Sequence, residues 1–167
     1  MAPREEEWQS LQEFPGYQIS NLGRIYSDKT GTMLSFSMNN SGTLKVNLMQ
    51  GNVVQTRSVR TLVALAFLDE SEFDNTTPIN LDGDPWNNSI DNLMWRPRWF
   101  AWKYMRQFHE PIPSEYKVPI IDTHYDVPWA STVHAGIALG LLWEYIYQSI
   151  LTGRPVFPTG SIFVFRH

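Results

Sequence analysis

Apolar and polar residues alternate over Leu44-Lys45-Val46-Asn47-Leu48, which places Leu44, Val46 and Leu48 on one face of a strand. Gln50-Gly51-Asn52 then turns the chain into a second strand over residues 53–57. Upstream, residues 17–27 read as two short strands around Asn21-Leu22-Gly23, with Gly23 where a turn needs positive φ. At Val59 the period lengthens. Val59, Leu62, Val63, Ala66 and Phe67 form the inward stripe of an amphipathic helix. An acidic loop over residues 69–77 follows, then two strands around Asp82-Gly83-Asp84, and a second helix over about residues 97–107. Glu110-Pro111-Ile112-Pro113-Ser114 is a linker, because two prolines at that spacing cannot continue a helix. Beyond it lie a strand over 118–122 and a short helix over 131–139 with Ser131 as N-cap. Gly140-Leu141 turns the chain, a helix over 143–151 is stopped by Gly153, and residues 162–165 return as a strand. The pattern predicts an α+β chain: a small β-rich N-terminal module (8–58), a second domain (59–108), a linker (109–117) and a helix-turn-helix module with flanking strands (118–167).

The 167 residues carry 13 basic and 17 acidic side chains, a net charge of −4. That balance weighs against tight nucleic-acid binding, which draws on phosphate neutralisation. The distribution is uneven, however. Residues 96–106 hold Arg96, Arg98, Lys103 and Arg106 with no acid among them, interleaved with Trp99, Phe100, Trp102 and Tyr104. Cations can meet phosphates while rings stack on bases. The same spacing also suits a helix docked by its aromatics with a solvated basic face.

The chain has no cysteine, which excludes disulfides and thiolate-bound zinc. No apolar run nears the roughly 20 residues of a membrane span, so no membrane association is expected. Glu5, Glu6 and Glu7 with no apolar core make the N-terminus unlike a signal peptide.

The stretch from Ile79 to Trp95, Ile-Asn-Leu-Asp-Gly-Asp-Pro-Trp-Asn-Asn-Ser-Ile-Asp-Asn-Leu-Met-Trp, resembles the second half of the HNH nuclease motif, N-H-x-D-G-x-x-x-N-N-x-x-x-N-L-x-W. Residues 17–27 resemble the small β module that precedes HNH domains in phage intron-type homing endonucleases. Residues 59–67 resemble the helix that opens those domains, and 118–166 the helix-turn-helix module that ends them. The resemblance thus covers most of the chain, in the family's order. It implies a ββα-metal fold in which an acidic residue and an Asn hold a divalent cation and a histidine activates water.

Position by position, the resemblance leaves this site degenerate. The metal-ligand position is Ile79, the general-base position is Asn80, and the distal ligand falls at Ala101, six residues after Trp95. The earlier histidine of the opening helix aligns with Arg60, and the Arg after it with Thr61. Asp82, Gly83 and Asn92 are retained, as turn and loop-fixing residues. No histidine occurs before His109, and His109, His124, His134 and His167 are not paired at ligand spacing. The expectation is therefore no catalytic residue, no metal and no cofactor: an HNH-like protein that is not an enzyme, phage-encoded and acting in the cytoplasm of an infected bacterium.

Two functions follow from different surfaces. The first is a double-stranded-DNA-binding or regulatory protein without strand cleavage, using Arg96, Arg98, Lys103 and Arg106, with Gln148 and Ser149 of the last helix reading base edges. The second is an interaction protein in which Trp143, Tyr145 and Tyr147 anchor a partner such as a polymerase, nuclease or virion component. The last helix offers no Lys or Arg, and Glu144 repels phosphate. Residual metal-dependent endonuclease activity is a third, remoter reading.

Overall fold

The protein is described by a computed structural model covering residues 4–72 and 74–167. Two compact units divide the chain. One runs to Asn80 and takes in Asp84–Arg98; the other holds Leu81–Gly83 and Trp99–His167.

In the first unit, β1 (Trp8–Ser10), β2 (Tyr17–Ser20), β3 (Ile25–Ser27) and β4 (Thr32–Met33) form an antiparallel sheet in that order. Gly23 makes the β2–β3 turn with φ +86, and a Cβ there would lie 3.0 Å from that of Asn88. A second antiparallel sheet holds β5 (Ser37–Met38), β6 (Leu44–Gln50) and β7 (Val53–Ser58). The alternation in β6 does what its period requires: Leu44, Val46 and Leu48 are buried, while Asn47 and Met49 are exposed.

Helix α1 (Val59–Phe67) starts directly where β7 stops and buries Val59, Leu62, Val63 and Ala64 in a core with Phe14, Ile19 and Ile25. It packs on the antiparallel hairpin of β8 (Thr77–Asn80) and β9 (Leu93–Arg96). A single 3-10 turn, Ile90–Asn92, leads into β9.

The second unit contains all but the first residue of α2 (Arg98–Gln107), then β10 (Ile120–Asp122), β11 (Val127–Trp129), α3 (Thr132–Leu139), α4 (Trp143–Thr152) and β12 (Phe163–Phe165). β10 lies between β11 and β12, antiparallel to both. Ile120, Ala135, Leu141, Ile146, Val156 and Phe163 form its core. Ser131 caps α3 by accepting from the His134 amide at 3.2 Å, and Gly140 and Gly153 end α3 and α4 in the left-handed conformation.

Two features depart from the sequence pattern for identifiable reasons. The linker contains a 3-10 turn, Ser114–Lys117, entered from Pro113, whose fixed φ suits the start of a turn as well as it stops a helix. β11 contains Pro128, tolerated because β11 is an edge strand.

Candidate nucleic-acid interface

Asn80 ends β8 and is wholly buried. Its Nδ2 donates to the Asn87 carbonyl and to Asn88 Oδ1, both at 2.9 Å, and its Oδ1 accepts from Arg60 Nη1 at 3.2 Å. Asn92 Nδ2 donates to the same Asn87 carbonyl at 2.8 Å, and Asn88 Nδ2 to the Pro85 carbonyl at 2.9 Å. The Trp86 amide donates to Asp84 Oδ1 at 2.9 Å. The asparagines thus form an amide network that fixes the loop between β8 and β9.

In the second unit, Gly83 has φ +76, and a Cβ on it would fall 2.4 Å from the Phe108 ring. Asp82 is exposed.

This donor set does not fit a divalent cation. Ile79 and Ala101 are buried hydrocarbon. The one side-chain oxygen at those three positions, Asn80 Oδ1, already accepts from the cationic Arg60. Nor can the Asn80 amide accept a proton near neutral pH.

Helix α2 divides cleanly by face. Phe100, Ala101 and Tyr104 are buried, and the Tyr104 hydroxyl donates to the Leu81 carbonyl at 2.7 Å. Arg98, Lys103 and Arg106 are exposed, as are Trp99 (51%) and Trp102 (62%). Lys103 Nζ lies 5.9 Å from the Trp99 ring centroid and 5.7 Å from that of Tyr145. The Arg106 guanidinium sits 5.1 Å over Trp102 and pairs with Glu110 at 3.0 Å on the open surface. Such an exposed pair contributes at most about 1 kcal/mol, so it exchanges readily for a phosphate. Arg96 is a correction. It is buried, with Nη1 donating to the Trp95 carbonyl at 2.9 Å, so the cationic surface begins at Arg98.

Two residues expected to face outward on α4 also lie inside. Trp143 is buried edge-on to Phe108, with centroids 5.1 Å apart, so it cannot anchor a partner. Ser149 is buried with Oγ accepting from the Phe163 amide at 3.2 Å, which removes it from base-edge reading. The signal was present in the spacing. Trp143, Ile146 and Ser149 recur every third residue, and a small serine can sit on an inward face when its hydroxyl finds a backbone donor. Gln148 and Glu144 are exposed, Tyr145 lies beside Lys103, and Tyr147 packs on Tyr116 at 5.2 Å. Burial, then the charges of Glu144 and Glu115 and the neighbouring Tyr147, raise the Tyr116 phenol above its ordinary value.

Arg60 is the residue that reasoning from sequence undervalues. The motif marks it only as a replacement for a histidine, yet its guanidinium reaches Asn80, 20 positions away. Burial lowers its pKa from the ordinary arginine value. Among the described residues no carboxylate forms an ion pair with it.

The first unit lays a β-hairpin on helix α1 behind a small β module, in the order that the HNH resemblance implies. Residues 6–49 match the NUMOD4 motif. The chain is 33% identical over 90 residues to the DNA endonuclease I-HmuI of Bacillus phage SP01, a stretch covering 53% of this chain and 51% of that enzyme. It is 35% identical over 89 residues to an uncharacterized HNH endonuclease of Acanthamoeba polyphaga mimivirus, covering 53% of this chain and 26% of that protein. The matches thus span about half the length of these curated relatives, or less.

A solved structure, titled for DNA binding and cleavage by the HNH homing endonuclease I-HmuI, superposes with a TM-score of 0.54 at 25% identity, covering 96% of this chain and 98% of that one. In sequence over about half of its length, and in fold over nearly all of it, the chain is similar to HNH homing endonucleases. The expectation of a protein that is not an enzyme is corrected here, because these relatives are named as endonucleases. No helix among the described residues is long and apolar enough to cross a membrane.

Proposed function

We propose that this protein binds double-stranded DNA in the manner of its family, with the exposed face of α2 as its main electrostatic contact. One observation carries the reading: Arg98, Lys103 and Arg106 are exposed on one helix, and Lys103 and Arg106 lie beside the exposed rings of Trp99 and Trp102. Cations supply phosphate contacts, and flat rings at the same surface can pack on sugars or bases. The likeness to a DNA-binding and -cleaving homing endonuclease supports the same partner.

The test is a titration of labelled duplex at two salt concentrations, with and without unlabelled competitor. Replacing Arg98, Lys103 and Arg106 with Ala should flatten the salt dependence by a slope of about 0.9 for each phosphate that is no longer neutralised. An unchanged slope in the folded triple variant removes α2 from the interface.

Endonucleolytic cleavage is the reaction named for the relatives, and the chemistry at residue 80 constrains how it runs in this chain. Without an imidazole there, proton removal from water follows hydroxide, and the cleavage rate rises steadily from about pH 6 to 9 rather than levelling in the histidine range. Asn80→His should introduce that levelling, with a gain at pH 7 well below that of a complete site, because Ile79 and Ala101 supply no metal ligand. Plasmid nicking in magnesium or manganese measures both. A rate that levels near pH 6.5 in the unaltered protein would place an unrecognised base in the site.

A further inference from the structure

Arg60 carries costs that no acid among the described residues offsets. Its side chain is half-buried, and that burial disfavours its charge. It stands in the first turn of α1, where the helix dipole opposes a cation, and that turn contains no acid. Its hydrogen-bond partner, Asn80 Oδ1, is neutral, so it orients the group without compensating it. The start of α1 also lacks a side-chain cap: Ser58 precedes it, but its buried hydroxyl has no hydrogen-bond partner among the described residues. The result is a guanidinium held in place by one N–H, with further N–H groups available.

We propose that Arg60 is an anion site of the first unit, held in position by Asn80, and that its ligand is a backbone phosphate of duplex DNA. The anion site follows from the geometry around Arg60, whereas the source of the phosphate rests on the DNA-binding reading above. A guanidinium is the side chain best suited to the task, because its planar fork can present two N–H groups to two phosphate oxygens. Asn80 thereby has a positive role: its Nδ2 is tied to Asn87 and Asn88, so its Oδ1 has one orientation and directs Arg60.

The experiment uses the full chain in two arms. In the first, inorganic phosphate is titrated while the Arg60 guanidinium is followed by nitrogen-15 NMR. A saturable shift at Arg60, with a rise in melting temperature that Arg60→Gln abolishes, is expected. No shift in the unaltered protein at saturating phosphate overturns the site, and that measurement needs no variant to fold. In the second arm, duplex is titrated at two salt concentrations. Arg60→Gln should reduce the salt slope by about 0.9, and Arg60→Lys should preserve it. A duplex that binds with an Arg60-independent slope overturns the phosphate assignment while leaving the DNA-binding reading intact. A phosphate response at Arg60 in a protein that binds no duplex does the reverse: the anion site stands and its ligand is free phosphate.

Discussion

Asn80 shows how one buried amide can hold a loop. Replacing it with Ala strips partners from the Asn87 carbonyl, Asn88 Oδ1 and Arg60 Nη1 together, in a place water reaches poorly. Each buried polar group left unmatched costs about 1–3 kcal/mol. The Asn87 carbonyl still accepts from Asn92, so the expected destabilisation for Asn80→Ala is about 2–4 kcal/mol rather than the full sum. Urea denaturation measures it, and a change below about 0.5 kcal/mol would mean the network is ornamental. Arg60 is the other half of this network. Arg60→Met removes a partly desolvated charge but also strips the buried Asn80 Oδ1 of its donor, so the two effects oppose and the melting temperature should move less than for Asn80→Ala.

Among the elements, the α3–α4 pair depends on close packing at Gly136. A Cβ there would come within 2.4 Å of Trp143 Cδ1 and 2.9 Å of the Leu141 carbonyl oxygen, a backbone atom that cannot swing aside. Gly136→Ala should therefore destabilise the second unit by about 1–3 kcal/mol, visible as an earlier thermal transition with weaker near-ultraviolet dichroism from Trp143. An unchanged melt would show that Trp143 relaxes freely. The same pair marks how far the sequence could be read. Elements with a sustained period were legible: β6 from its alternation, α1 from its stripe, α3 and α4 from cap and stop residues. The short strands β1, β4, β5 and β11 were not, since two or three residues express no period of their own; the equally short β3, β10 and β12 were legible only from an adjoining turn or apolar run. At the candidate site, positions 79, 80 and 101 could be named from the motif. The burial of Arg96, Trp143 and Ser149 could not, because each is decided by a tertiary neighbour rather than by its own polarity. The Arg60–Asn80 bond was hidden for the same reason.

For the whole molecule, the net charge of −4 sets what kind of DNA binding to expect. Beyond a Debye length of about 10 Å at 0.1 M salt, the acidic sum no longer opposes approach, and the local arrangement of cations decides. The exposed cations of α2 number three, Arg98, Lys103 and Arg106, because Arg96 is buried. Contact through all three gives a logarithmic salt slope of about −2.7, so affinity should fall roughly 40-fold between 50 and 200 mM salt. Adding the Arg60 phosphate steepens the slope to about −3.6, roughly a 150-fold fall over the same range. Both values are shallow beside those of proteins that neutralise about six to ten phosphates, and this is what an acidic chain with a confined cationic strip should give. A measured slope steeper than about −6 would mean that cations elsewhere, such as Lys45, Arg57 or Arg154, also reach the duplex. It would move the interface well beyond α2 and the hairpin.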